Sequence, residues 1–235
     1  MKLFIIPFAG GMSSTYLTWK EQLKCEVLPV ILRGRESRVN EALYTTFSEA
    51  VEDIKNQIIS NLESGDDDFA LFGHSMGAFL AFEVYHALRD EYMTPEAIFL
   101  SGRRPPQLGN DTKPVYRFSP EDLKEEMIGK GGMNARFFDN EELVKLFIPV
   151  LRADYKILYD YKYKEFDSKI KCRVIVLNGK EDAVKEEEMC RWNELAETQI
   201  TYYTVPGNHF FTLNNPQEVC EIVENELQKS AQICR

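Results

Sequence analysis

Three residues in this chain are of the types, and in the order, that acyl-transfer chemistry needs. Ser75 lies in Gly73-His74-Ser75-Met76-Gly77, Asp182 ends Asn178-Gly179-Lys180-Glu181-Asp182, and His209 ends Pro206-Gly207-Asn208-His209. A serine hydroxyl is a poor nucleophile until a base takes its proton. An imidazole does this near neutral pH. A carboxylate on the far ring nitrogen fixes the tautomer and stabilises the imidazolium. The G-x-S-x-G spacing suits a sharp strand-to-helix turn, with glycines where side chains would clash. An apolar run, Phe69 to Phe72, precedes it, and a helical pattern from Ala78 to Leu88 follows. The hydroxyl then sits at a helix N-terminus, where backbone N–H groups stabilise a negative oxygen.

Scarcity sharpens the choice of base, because the chain has only 3 histidines. His74 adjoins Ser75 and should point away from it. His86 falls about three turns into the following helix, at 3.6 residues per turn. His209 alone stands on a loop after a strand. For the acid, Asp182 directly follows a strand and precedes His209. Its neighbour Glu181 reads as a solvated partner of Lys180. Asp111 is too far into its loop, and Asp154 and Asp160 read as surface or hinge residues on helices. The order nucleophile, acid, histidine is the one α/β-hydrolases use. An oxyanion needs two N–H donors. One should be that of Met76, after the nucleophile. The second should come from the loop Phe8-Ala9-Gly10-Gly11, with Ala9 the best candidate and Phe8 or Gly10 as alternatives.

These residues need a frame that brings distant loops to one edge. The chain alternates strands and helices: strands at Leu3–Pro7, Glu26–Leu32, Phe69–Phe72, Ala97–Leu100, Arg173–Leu177 and Gln199–Val205. Such alternation argues a mostly parallel sheet with helices on both faces, and ligands at the carboxyl ends of its strands. A short helix is expected near Tyr16–Leu23. A longer one is expected from Asn40 to Ser64, where Leu43, Phe47, Val51, Ile54, Ile58 and Leu62 recur at helical spacing, Asn40 caps and Gly65 stops. Further helices are expected at Lys185–Leu195 and after Asn215-Pro216. Between about 107 and 169 there are helices and no good strand. Ser119-Pro120 and Asp139-Asn140-Glu141-Glu142 are helix starts, and Pro149 should kink or break the second helix. This aromatic-rich stretch reads as a lid insertion in a single domain spanning 1–235.

Composition sets the outer limits. With 44% apolar and 28% charged residues the chain is an ordinary globular protein. A net charge of −10 and no basic run argue against nucleic-acid binding, and no apolar stretch reaches the length of a membrane span. Met1 to Pro7 reads as a strand, not a signal peptide. The 5 cysteines, Cys25, Cys172, Cys190, Cys220 and Cys234, lack any C-x-x-C pair. They fit unpaired thiols in a reducing cytoplasm, with no metal site. No separate interface pattern is visible, so a monomer is expected.

The chain resembles the type II thioesterases, the freestanding α/β-hydrolases that accompany nonribosomal peptide and polyketide synthases. The resemblance is carried by Pro7-Phe8-Ala9-Gly10-Gly11, Arg33-Gly34-Arg35-Glu36, Phe72-Gly73-His74-Ser75-Met76-Gly77 and Ser101-Gly102-Arg103-Arg104. It continues through Leu151-Arg152-Ala153-Asp154-Tyr155, Asn178-Gly179 to Asp182, and Gly207-Asn208-His209-Phe210-Phe211. It implies an α/β-hydrolase fold, a triad of Ser75, Asp182 and His209, an oxyanion hole from Ala9 and Met76, and an acyl chamber under a helical lid. The implied reaction is hydrolysis of acyl groups from the phosphopantetheine arm of an acyl or peptidyl carrier protein. No cofactor is then required, because phosphopantetheine arrives with the substrate. Two departures stand out: Asn208 occupies a position where many relatives have glycine, and the sheet is expected to lack the early strands of larger hydrolases. From Arg103 to Arg136 there are 7 Lys/Arg and 5 Asp/Glu, a local +2 that suits an acidic carrier protein or a phosphate.

Overall fold

A computed structural model of the chain describes residues 1–62, 68–110, 112–132 and 135–233. Its frame is one sheet of strands β1 (Lys2–Ile6), β2 (Glu26–Pro29), β3 (Phe69–His74), β4 (Ala97–Ser101), β5 (Arg173–Gly179) and β6 (Thr201–Val205). The order is β2-β1-β3-β4-β5-β6, and every neighbouring pair is parallel. No strand among the described residues precedes β1.

Side chains alternate between the faces of a strand, and a parallel sheet is covered on both. Phe4, Ile6, Leu71, Ile98, Leu100, Val174 and Val176 therefore enter one core. Leu3, Ile5, Ala70, Phe72, Phe99, Ile175 and Leu177 enter the other. The first core is closed by α2 (after α1, Trp19–Gln22) at Phe47–Asn61 and by α3 at Met76–Asp90. The second is closed by α1 and the C-terminal helix. The chain leaves β1 toward β2 on one side and returns to β3 on the other. The loops after β1 and β3 thus flank a topological switch point, where a doubly wound sheet opens a crevice.

Between β4 and β5 lie α4 (Pro120–Gly129) and α5 (Glu141–Asp160), with no strand among the described residues. Ser119 caps α4 by accepting from the Asp122 N–H, and Asn140 caps α5 by accepting from Glu142 and Leu143. The two helices share a small core of Leu123, Met127, Phe147, Leu151 and Tyr155, which rests against Ala9. Beyond β5 come α6 (Glu186–Cys190), a 3-10 turn at Arg191–Leu195, then β6, α7 (Phe211–Asn214) and α8 (Pro216–Ile233).

Two expectations change. The long helix begins at Phe47, not Asn40. Thr46 is its cap, accepting from the Glu49 N–H while the Glu49 carboxylate receives the Thr45 N–H and hydroxyl. That local pairing outcompetes the helical spacing of Leu43. Ser64 and Gly65, the expected end and stop, lie outside the described residues, as do Asp111 and Cys234. The second change is that α5 runs unbroken through Pro149. Apolar residues on either side of it, Phe147, Val150 and Leu151, are buried and hold the helix together. Cys25, Cys172, Cys190 and Cys220 are free thiols, and no helix among the described residues is long and apolar enough to cross a membrane.

Candidate active site

Ser75 is the hinge between β3 and α3. Its backbone is at φ 57°, ψ −114°, a conformation uncommon for a residue with a side chain. The glycines around it are steric requirements. A Cβ on Gly73 would lie 2.1 Å from the Gly77 carbonyl oxygen, and one on Gly77 would lie 2.1 Å from that of Ile6. The turn is pinned by the Ser75 N–H donating to the Ser101 carbonyl at 2.8 Å. α3 starts at Met76, whose N–H belongs to the first turn and has no acceptor within the helix.

The loop after β6 brings His209 over this turn, with Nε2 2.9 Å from Ser75 Oγ. Its other nitrogen, Nδ1, is 2.8 Å from Asp182 Oδ2 in the loop after β5. The structure thus brings the three residues read from the sequence into one hydrogen-bonded row. The Asp182 side chain is 3% exposed. Burial works against its ionisation. The hydrogen bond and charge of His209 and the bond from the Val184 N–H outweigh that, leaving the carboxyl below the usual carboxylate range. Glu181 is not a partner of Lys180; its carboxylate receives the Gly207 N–H and ties the acid loop to the histidine loop. Asn208 has a local task, accepting the Phe210 N–H on its side-chain oxygen at 3.0 Å.

The other histidines are buried and do other work. His74 Nδ1 is 3.0 Å from Ser101 Oγ. Its ring lies behind His209 and against Phe8 and Phe211. Burial and the neighbouring His209 push its pKa down to about 3. His86 stacks on Phe166 at 3.7 Å, and burial lowers its pKa to about 4.

The loop after β1 completes the floor. The Gly11 N–H donates to the Phe8 carbonyl at 2.8 Å and the Gly10 N–H to Asp154 Oδ2 at 2.8 Å. Gly10 is therefore already committed, which leaves Ala9 and Phe8 of the three candidate donors. Ala9 lines a cavity of about 380 Å³ together with Ser75, His209 and Asp182 and with Tyr155, Lys113 and Lys130 of the β4–β5 insertion. Asp154, read from the sequence as a surface or hinge residue, is 1% exposed. Its position on the apolar face of α5, flanked by Val150, Leu151, Ile157 and Leu158, is the signal that marks it. No group of three His, Cys, Asp or Glu residues among the described residues is placed to hold a metal ion.

The model of the thioesterase domain family matches residues 1–227. The chain belongs to the thioesterase family. This thioesterase is 29% identical to the gramicidin S biosynthesis protein GrsT of Aneurinibacillus migulanus over 97% of its own length and 89% of that protein's. Its fold matches ClbQ from the colibactin NRPS/PKS pathway with a TM-score of 0.92 and 26% identity, covering 99% of this chain and 98% of that one. It also matches the type II thioesterase BorB from the borrelidin biosynthetic cluster, with a TM-score of 0.86, 29% identity and coverage of 96% and 92%. The family read from the sequence motifs is the family found. The fold is that of an α/β-hydrolase, and the activity is thioester hydrolysis.

Proposed function

We propose that this thioesterase clears acyl groups from the phosphopantetheine arms of carrier proteins in nonribosomal peptide or polyketide assembly, with Ser75 as nucleophile. The observation that carries the reading is the row Ser75–His209–Asp182 in a cavity that residues of the insertion also line. Similarity to GrsT, ClbQ and BorB supports the choice of substrate.

His209 Nε2 takes the Ser75 proton as Oγ attacks the thioester carbonyl. Asp182 holds the Nδ1 proton and balances the imidazolium. The N–H groups of Ala9 and Met76 receive the oxyanion. Collapse expels the pantetheine sulfur, which takes the proton from His209 and leaves Ser75 acylated. Water then gives a proton to His209 as it attacks the ester, and the carboxylic acid departs as the proton returns to Ser75. No step passes through a cofactor, since the phosphopantetheine belongs to the substrate.

The insertion acts as a lid whose inner wall receives the acyl chain. Lys113 and Lys130 line the same cavity, where they would meet the phosphate of the arm or an acidic carrier surface. A hydrolysis panel tests the assignment, with matched acyl groups presented on carrier protein, on a short pantetheine mimic and as oxygen esters. The expected order in kcat/KM is carrier, then mimic, then ester. Preference for the ester would point instead to a small-ester hydrolase.

A further inference from the structure

The loop that supplies the second oxyanion donor is held by a buried ion pair that the triad does not use. Arg35 and Asp154 are 2% and 1% exposed, and their charged atoms meet at 2.7 Å. Asp154 Oδ2 accepts the Gly10 N–H at 2.8 Å, and Arg35 donates from Nη1 to the Gly11 carbonyl at 3.1 Å. Just after Arg35, the Glu36 carboxylate accepts from the N–H and hydroxyl of Ser13, each at 2.9 Å, and from the Ser14 N–H at 3.1 Å. Apart from Arg35 Nε, which donates to the Arg33 carbonyl at 3.4 Å, and the Ser13 hydroxyl, these bonds close on the backbone of residues 10–14 or on the opposite charge.

We propose that Asp154, oriented by Arg35, is a positioning residue that anchors the Ala9 oxyanion donor by pinning the peptide that follows it. Phe8 to Gly11 form a four-residue turn closed by the Gly11 N–H, with Gly10 at φ +76°. That is the pattern of a type II turn. Its central peptide carries the Ala9 carbonyl and the Gly10 N–H, and in the alternative type I turn this peptide is rotated by roughly half a circle. The carboxylate of Asp154 holds the Gly10 N–H and so keeps this peptide, and the backbone next to the Ala9 N–H, in one conformation. Leu151 and Phe147 of the same helix α5 pack against Gly10, where a Cβ would meet them at 2.8 and 2.9 Å. The residue after Ala9 is thereby held by both a hydrogen bond and a packed helix face. One helix of the lid thus both roofs the cavity and orients its floor.

This inference rests on the Ser75 mechanism and deepens it. Its test compares wild type, Asp154→Asn and the double variant R35M/D154L. An acyl N-acetylcysteamine thioester is the substrate, and an alkyl boronic acid that adds to a serine is the oxyanion probe. Removing one oxyanion donor costs roughly 100- to 1,000-fold in kcat, so misaiming one should cost about 10- to 100-fold. KM should stay within about twofold, because the donor acts in the transition state. Boronate affinity should fall in parallel with kcat. The variants should melt cooperatively, a purely structural role lowering Tm without this split. The double variant, which removes both charges together, carries the comparison if Asp154→Asn does not fold. In the wild-type protein, boronate binding should shift the Ala9 amide resonance and leave Gly10 in place. Unchanged kcat and boronate affinity in a folded variant, or a Gly10 amide that moves onto the boronate, would overturn the inference while leaving Ser75 as nucleophile. An active Ser75→Ala variant would instead overturn the mechanism on which it rests.

Discussion

The ring of His74 lies 5.3 Å, centroid to centroid, from that of His209. The residue next to Ser75 in sequence is thus a buried support behind His209. It stays neutral at neutral pH, as does His86 against Phe166, because burial holds their pKa values down to about 3 and about 4. An unfolded histidine protonates near 6.5. As pH falls below 6.5 the unfolded chain takes up protons that the fold refuses, so this stability is complete above pH 6.5 and is lost as pH falls toward 4 and then 3. At pH 5 each histidine should cost about 1–2 kcal/mol. Urea unfolding at pH 7 and pH 5 should show a loss that is smaller in His86→Phe by about 1 kcal/mol. Equal losses in the two proteins would contradict the assignment.

Gly77→Ala should be more harmful than a surface substitution by a wide margin. The new Cβ would sit 2.1 Å from the Ile6 carbonyl oxygen, and neither β1 nor α3 can retreat from a packed core. A destabilisation of about 4 kcal/mol or more is expected, measured as a fall in denaturation midpoint or as failure to accumulate folded protein.

Asp182→Asn separates chemistry from folding. The amide keeps the size of the carboxyl but cannot compensate the imidazolium and favours the wrong tautomer. A fall in kcat of about 10⁴ is expected, with Tm changed by only a few degrees. A loss below tenfold would show that another group orients His209.

Much of this architecture was legible in the chain, for identifiable reasons. The strands stand out because residues such as Phe69 to Phe72 are buried on both faces and read as continuous apolar runs. The row of Ser75, Asp182 and His209 is legible because each follows a strand end, and parallel strands share one edge. Asp154 was missed as a buried group although its helical neighbours Val150, Leu151, Ile157 and Leu158 are apolar. A single acid on an amphipathic helix ordinarily faces water, and its partner Arg35 is 119 residues away in sequence. The start of α2 was misplaced because Leu43 keeps the helical spacing while lying in a loop against Gly34. Pro149 does not break α5, because propensity says nothing of the core that its helix packs on.

Replacing Lys113 and Lys130 together by glutamine should raise KM for an acyl carrier protein about three- to tenfold while a small thioester is hydrolysed as before. Steady-state kinetics at low salt would show it. Equal effects on both substrates would remove these lysines from carrier or phosphate recognition.

The central claim is that Ser75 attacks the thioester of a tethered acyl chain. Thiol release from acyl-phosphopantetheinyl carrier protein, followed side by side for wild type and Ser75→Ala, tests it most directly. Wild type should release thiol and free acid in equal amounts, and the variant, folded and melting like wild type, should lose activity by a factor of about 10³ or more. Release by Ser75→Ala at the wild-type rate would contradict the account.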